Sequence, residues 1–202
     1  RPYPVAYLLL NQNQAYRLAA VPAVRSIRPY SGPPQLHNAD SAALARVDKV
    51  REQAAFSFVD GSGEWIAVID GGSPGEHPDY EDRFQNGEEN MVLSTHASHV
   101  SGTIAGAGLG NPQARGMAPR AHIVNYSNRK IPFENMFDAH ERFDTRLANN
   151  SWGNGGAWRH TAVGGTISWV YYLNDLFSTY GTASEMADET VLQTGMLLVF
   201  SA

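Results

Sequence analysis

The sequence predicts an α/β fold built on a doubly wound parallel sheet, preceded by a small β-α-β piece. Two observations lead to this prediction. Short apolar segments rich in β-branched residues alternate with segments of helical periodicity along most of the chain. One of the apolar segments, WIAVID at 65–70, lacks polar alternation, which is typical of a strand buried on both faces. Alternating units of this length favour parallel strands joined by helical crossovers.

The front of the chain forms a separate piece in this prediction. Its strand, helix and strand are expected at 4–10, 12–20 and 23–27. Turn-forming residues and two consecutive prolines follow at 31–40, so we expect a linker there. The sequence therefore divides into a first domain at 1–35 and a second at 36–202.

The second domain continues the alternation of strands and helices. Helices are predicted at 40–53, 97–108, 132–143 and 185–194. Strands are predicted at 65–70, 121–126, 146–152 and 195–202. This order completes the doubly wound sheet.

Composition excludes several classes of function. The 202 residues carry a net charge of −5 and no run of like charges, so neither a nucleic acid nor an anionic membrane is an expected partner. The absence of cysteine excludes disulfides and a cysteine-ligated zinc site. No apolar stretch is long enough to span a membrane, and RPYPVAYLLL at the start lacks the features of a signal peptide.

Two side chains suggest acid–base chemistry. Asp70 closes the apolar strand at 65–70, where a carboxylate is half buried at the carboxyl end of the sheet. His96 and His99 lie about one turn apart at the start of the next predicted helix, His96 directly before it, among small residues that permit close packing. A histidine oriented by a buried aspartate is the general-base half of a nucleophilic triad. A strand-end aspartate that only caps a turn is the alternative.

Four segments carry a family resemblance, and they occur in the family's order. VIDGGSPGEHPD resembles the subtilase aspartate motif VIDTGxxxxHPD, and HASHVSGTIAG resembles the histidine motif HGTHVAGTIAG. RGMAPRAHIV is similar to the family's GVAPxAxI segment, and ANNSWG is similar to the NxSxG strand that lies along the substrate backbone. The chain is thereby identified as a member of the subtilisin-like serine proteases over residues 45–202.

The resemblance implies roles for particular residues. Asp70 would orient the base and His96 would be the base, with His99 a structural neighbour. Ser151, Trp152 and Gly153 would line the substrate cleft. The resemblance also implies that the substrate is a protein or peptide, and that the protein is secreted or periplasmic. The front piece is similar to the end of a subtilase propeptide, and such propeptides act as folding aids and inhibitors.

Some positions depart from the family pattern. Gly71 replaces threonine after the aspartate, and Ala97 and Ser98 replace glycine and threonine after the histidine. All three are small, so we expect both catalytic positions to be retained. The interval between Asp70 and His96 is shorter than in well-known members, which suggests a trimmed loop. No cofactor is expected for the chemistry, and a structural calcium ion is possible in the family although no site for one is identifiable.

The serine nucleophile is the main departure. In subtilases the asparagine of the oxyanion hole and the GTSMAxP nucleophile motif follow the strand that corresponds to LLVFSA, so both are expected beyond residue 202. The chain then holds the aspartate and histidine only, and we expect it to be inactive without the remaining C-terminal part of its catalytic domain. A truncated sequence or a cleaved partner chain is the expected explanation.

Other interpretations stay open at this point. The main one is a catalytically inactive subtilase-like domain that serves as a binding or structural module. Ser184 in GTASEMA is a weaker candidate nucleophile, because a helix start with Ser184 as its cap explains the segment better. GAGLG at 106–110 is an incomplete dinucleotide loop, and zinc held by Asp70, His96 and His99 lacks the expected spacing. The aromatic run at 169–173 is typical of a core segment.

Overall fold

The computed structural model describes residues 8–24, 27, 37–129, 131–153, 157–163, 166–172 and 179–201. The chain divides into two compact units, Arg1–Gln35 and Leu36–Ala202. None of the helices in the described ranges is long and apolar enough to cross a membrane.

The first unit contains one described helix, α1 (Gln12–Ala19), which confirms the helix predicted there. It begins with a capping box: Asn11 Oδ1 accepts the N–H of Gln14, and Gln14 Oε1 accepts the N–H of Asn11, both at 2.9 Å. The flanking strand predictions fall partly on 4–7 and 25–26, which lie outside the described residues. The described remainder of both predicted strands, including 8–10, is not in strand conformation.

The linker and the helix predicted after it differ from the structure. Of the predicted linker, 31–36 lies outside the described residues and the rest is helical. The single helix predicted at 40–53 is wrong, because the segment forms α2 (His37–Leu44) and α3 (Val47–Glu52) with Arg46 in the left-handed region at φ 61° between them. A tertiary contact holds α3, since Arg51 donates to the carbonyl oxygens of Gly116 and Met117. Periodicity does not encode such a contact.

The second unit is an α/β domain around a five-stranded parallel sheet. The four strands predicted from sequence are confirmed as β1 (Trp65–Asp70), β3 (His122–Ser127), β4 (Leu147–Asn150) and β7 (Leu197–Phe200). The sheet also includes β2 (Phe84–Asn86), which the sequence analysis missed. The strand order is β2-β3-β1-β4-β7, with β1 in the centre, and every neighbouring pair is parallel.

A separate two-stranded sheet was also missed. Strands β5 (Ala157–Val163) and β6 (Thr166–Tyr172) pair antiparallel. The aromatic run at 169–173 that the sequence analysis assigned to a core lies mainly in β6, and its side chains are outside the described part of the chain.

The helices lie on both faces of the main sheet, as a doubly wound fold requires. On one face Ala67 and Ile69 of β1 belong to a core shared with α5 (Pro132–Phe143), which confirms the predicted bounds of that helix. On the other face Val68 packs in a core with Val100 and Ala105 of α4 (Thr95–Ala105). Burial on both faces explains why β1 reads as an uninterrupted apolar segment.

The last helix, α6 (Thr182–Thr194), begins three residues before its predicted start. Gly181 in extended conformation occupies the N-cap position, and no side chain caps the helix. The prediction that Ser184 caps the helix is therefore wrong, because Ser184 lies inside the first turn and its N–H donates to the carbonyl of Gly181.

Gly87 follows β2 and lies against the ring of Tyr126 in β3. A Cβ at position 87 would overlap the ring, so we expect Gly87→Ala to lower the free energy of unfolding by about 1–3 kcal/mol. Urea unfolding measures this loss. Gly110→Ala is the matched control, since no atom lies within 4 Å of its Cβ position, and its change should stay within about 0.5 kcal/mol. Equal effects of the two substitutions would contradict the close contact at Gly87.

Candidate active site

The carboxyl end of β1 lies at the point where the strand order reverses. Strand β1 pairs with β3 on one side and with β4 on the other. In open α/β sheets the loops on the two sides part at such a position and leave a crevice at the carboxyl ends of the strands. Asp70 is the last residue of β1 and therefore stands at this crevice.

The Asp70 carboxylate is buried, with 2% of the residue exposed. The N–H of Gly71 donates to Asp70 Oδ1 at 2.7 Å, and the backbone carbonyl of Asp70 accepts the N–H of Asn128 at 2.7 Å. A buried carboxylate is costly unless it is hydrogen-bonded or paired. The pairing group is the side chain of His96.

His96 Nδ1 lies 2.8 Å from Asp70 Oδ2 and 3.0 Å from Oδ1. A carboxylate accepts, so Nδ1 carries the proton in the neutral imidazole and Nε2 carries the lone pair. The His96 side chain is 58% exposed while that of Asp70 is 3% exposed. The arrangement therefore presents a proton-accepting nitrogen toward solvent, supported from behind by a buried anion.

The first turn of α4 fixes the position of His96. Ser94 is the N-cap, and its Oγ accepts the N–H of Ala97 at 3.1 Å. Ser98 Oγ donates to the carbonyl of Ser94 at 3.0 Å and accepts the N–H of Gly75 at 2.9 Å. Because Gly75 belongs to the segment that follows Asp70, Ser98 ties the aspartate loop to the histidine helix.

A second set of contacts holds the same two segments together. The N–H of Ser73 donates to the carbonyl of Val92, and the N–H of Ser94 donates to the carbonyl of Ser73, both at 2.8 Å. A Cβ at Gly72 would overlap the carbonyl oxygen of Val92, so this close approach needs glycine. The hydrogen bonds of Ser94 and Ser98 were not predicted from the sequence, although a serine directly before a helix is an N-cap signal.

The three residues predicted to line the substrate cleft follow β4 and lie outside the strand. Ser151 Oγ accepts a hydrogen bond from Asn149 Nδ2 at 2.9 Å. The ring of Trp152 meets that of Phe200 edge-on at 5.6 Å, and its Nε1 is buried without a partner among the described residues. Gly153 is exposed. Strand β4 neighbours β1, and Asn150 is in register with Ile69. Ser151, Trp152 and Gly153 therefore lie at the same edge of the sheet as Asp70.

Two alternative assignments involve other residues. His99 is exposed, and no hydrogen bond joins it to Asp70 in the described part of the chain. Within the described ranges no group of three histidine, aspartate or glutamate side chains is arranged to hold a metal ion. Ser184 lies in α6, and none of the hydrogen bonds found among the described residues joins it to His96.

A buried tyrosine reinforces the neighbouring strand. Tyr126 in β3 donates from its hydroxyl to Asp138 Oδ2 in α5 at 2.5 Å. Burial, and then the hydrogen bond to Asp138, raises the pKa of Tyr126 well above its usual value. Arg142 Nη1 lies 2.7 Å from the same carboxylate oxygen and donates to the carbonyl of Gly87 at 3.0 Å. These contacts connect β3, α5 and the segment after β2.

Fold and site together define an α/β domain with a buried aspartate bonded to a partly exposed histidine at its carboxyl edge. The sequence profile of the subtilase family matches residues 61–202. The chain belongs to the subtilase family. No curated protein sequence matches the chain significantly.

Solved structures are similar in fold. MycP1 from Mycobacterium smegmatis superposes with a TM-score of 0.53 at 15% identity, covering 87% of this chain and 47% of that one. MycP1 with its N-terminal propeptide removed gives 0.51 at 16% identity, covering 79% and 47%. The CspB protease of Clostridium perfringens gives 0.51 at 14% identity, covering 80% and 39%. The chain thus spans about half the length, or less, of these structures, and the likeness establishes the fold.

Proposed function

We propose that the protein is a serine endopeptidase that hydrolyses peptide bonds through an Asp/His/Ser triad. Asp70 holds the imidazole in the required tautomer, and His96 is the general base. The observation that supports this most strongly is the buried Asp70 carboxylate 2.8 Å from His96 Nδ1, with the rest of the imidazole facing solvent.

The reaction follows from the orientation of His96. Nε2 accepts the proton of the serine hydroxyl as its oxygen attacks the scissile carbonyl, and the buried Asp70 stabilises the imidazolium that forms. The imidazolium then gives the proton to the leaving amine. Water hydrolyses the acyl-enzyme with the same histidine as base. The family resemblance assigns the serine and the oxyanion donor to segments beyond residue 202, so we expect residues 1–202 alone to be inactive.

The substrate is a protein or peptide bound in extended form along Ser151, Trp152 and Gly153. The Nε1 of Trp152, a buried donor with no partner among the described residues, lies at this edge. We further propose that the unit Arg1–Gln35 acts as a propeptide, and that the protein is secreted or periplasmic. These last two assignments rest on membership of the subtilase family.

The test is whether the full-length protein hydrolyses a protein such as casein, and whether a serine-directed fluorophosphonate blocks that hydrolysis. We expect both. A protein that neither cleaves casein or a broad peptide library nor reacts with the fluorophosphonate would instead be an inactive binding module.

A further inference from the structure

A cavity of about 410 Å³ opens at the carboxyl edge of the sheet, with neither Asp70 nor His96 among the described residues of its wall. Gly72, two residues after Asp70, forms one part of its wall, and Ser127 at the end of β3 forms another. The remainder comes from the segment after β2 and from the start of the β3–α5 connection. Its wall includes the side chains of Glu88, Glu89, Met91, Val92 and Arg129.

The cavity is linked to the helix that carries His96. Gly72 packs against Val92 and against the Cβ of Ser94, the N-cap of α4. Val92 also accepts the N–H of Ser73 at 2.8 Å. These contacts join one wall of the cavity to the residue that caps the helix of His96.

The segment from Gly87 to Val92 is anchored at both ends. Gly87 donates its N–H to the carbonyl of Asn125 at 2.9 Å and accepts from Arg142 at 3.0 Å. Glu88 Oε2 accepts the N–H of Ser127 at 3.1 Å. The wall that carries the glutamates is thus held in place before any ligand arrives, which lowers the ordering cost of binding.

The groups around the cavity favour a cation. Among the described residues of the wall, Glu88 and Glu89 contribute two carboxylates and Arg129 one guanidinium, so acidic groups outnumber basic ones there. Asn125, which is fully buried, donates from Nδ2 to the carbonyl of Gly72 at 2.7 Å and lies 3.8 Å from Met91 Sδ. Its Oδ1 has no partner among the described residues, so a buried acceptor lies behind the wall formed by Gly72 and Met91.

We infer that this cavity binds a lysine or arginine side chain of the substrate, with Glu89 as the counter-charge. Met91 and Val92 supply apolar surface for the aliphatic stem, while the charged end meets the carboxylate. The guanidinium of Arg129 repels the charged end of the substrate side chain and so limits the preference for lysine or arginine. The inference rests on the proposed peptidase function and names the substrate class for that site.

The experiment uses the full-length protein and fluorogenic peptides that are neutral throughout. Lysine is introduced at one position at a time on either side of the scissile bond, and the matched peptide carries methionine, which has a similar unbranched stem. At one position we expect kcat/KM to be at least about fivefold higher for lysine than for methionine. Glu89→Gln should reduce this lysine/methionine ratio about three- to fivefold, and Arg129→Gln should raise it.

Glu141→Gln is the matched control, because Glu141 is exposed on α5 and is not part of the cavity wall. It should leave the ratio unchanged. The inference is overturned if peptides are cleaved without a lysine preference at any position, or if Glu89→Gln does not reduce the preference. Either result leaves the peptidase assignment standing. A protein that cleaves no peptide and does not react with a fluorophosphonate overturns both.

Discussion

Replacing His96 with alanine is expected to lower kcat for peptide hydrolysis by the full-length protein by about 10⁴- to 10⁶-fold. His96 is the described side chain bonded to Asp70 Oδ1 and Oδ2. Without an imidazole no group accepts the serine proton, and the residual rate comes from substrate binding and the oxyanion donors. Active-site-titrated kinetics with a fluorogenic peptide measure the loss.

His99→Ala is the matched control for that experiment. His99 is one turn further along the same helix and is exposed, so its removal should leave kcat within about threefold. Urea unfolding of both variants separates a catalytic loss from unfolding, since His96→Ala leaves the buried Asp70 without its partner at a cost of about 1–3 kcal/mol. Comparable losses of activity in both variants would contradict the assignment of His96 as the base.

The second large effect is expected from Asp70→Asn, which should lower kcat by about 10⁴-fold while the protein stays folded. Asparagine keeps the size of the side chain, but its amide N–H₂ competes to donate to Nδ1 of His96. The imidazole then carries its proton on Nε2, where it cannot accept the serine proton. Steady-state kinetics, together with circular dichroism of the folded variant, test this expectation.

Asp79→Asn is a suitable comparison for Asp70→Asn. The Asp79 carboxylate also accepts backbone N–H groups, those of Gly108 and Leu109 at 3.0 Å, and no described histidine ring bonds to it; the ring of His77 accepts from the backbone N–H of Asp79 instead. Its substitution should affect the free energy of unfolding more than kcat. If Asp79→Asn impaired catalysis as strongly as Asp70→Asn, the special role given to Asp70 would be wrong.

Much of the fold was accessible from sequence because its central elements carry strong patterns. Strand β1 is buried on both faces and reads as an uninterrupted apolar segment, and α5 has a proline at its start and an apolar face. Strand β2 is only three residues long, FQN, and has no periodicity to detect. The break at Arg46 was missed since a distant contact of Arg51 holds α3.

The candidate site was predictable to the extent that it follows short motifs. Residues next to a strand end and a helix start predicted that His96 or His99 pairs with Asp70, and the resemblance to the subtilase histidine motif selected His96. The structure places the side chains of Asp70 and His96 in contact. The supporting contacts of Ser98 with Gly75, and the cavity walls at Gly72, Glu89 and Arg129, join segments that are distant in sequence. Local patterns do not show which distant segments meet.

The most direct test of the central claim is covalent labelling of the full-length protein by a fluorophosphonate, read by mass spectrometry. Because the reagent reacts with a serine activated by a neighbouring base, the unmodified protein should be labelled on a single serine. The His96→Ala variant, shown to be folded, should not be labelled, and the His99→Ala variant should be labelled normally. Equal labelling of the unmodified protein and His96→Ala, or no labelling of the unmodified protein, would contradict the proposal that Asp70 and His96 form the general-base half of a serine peptidase site.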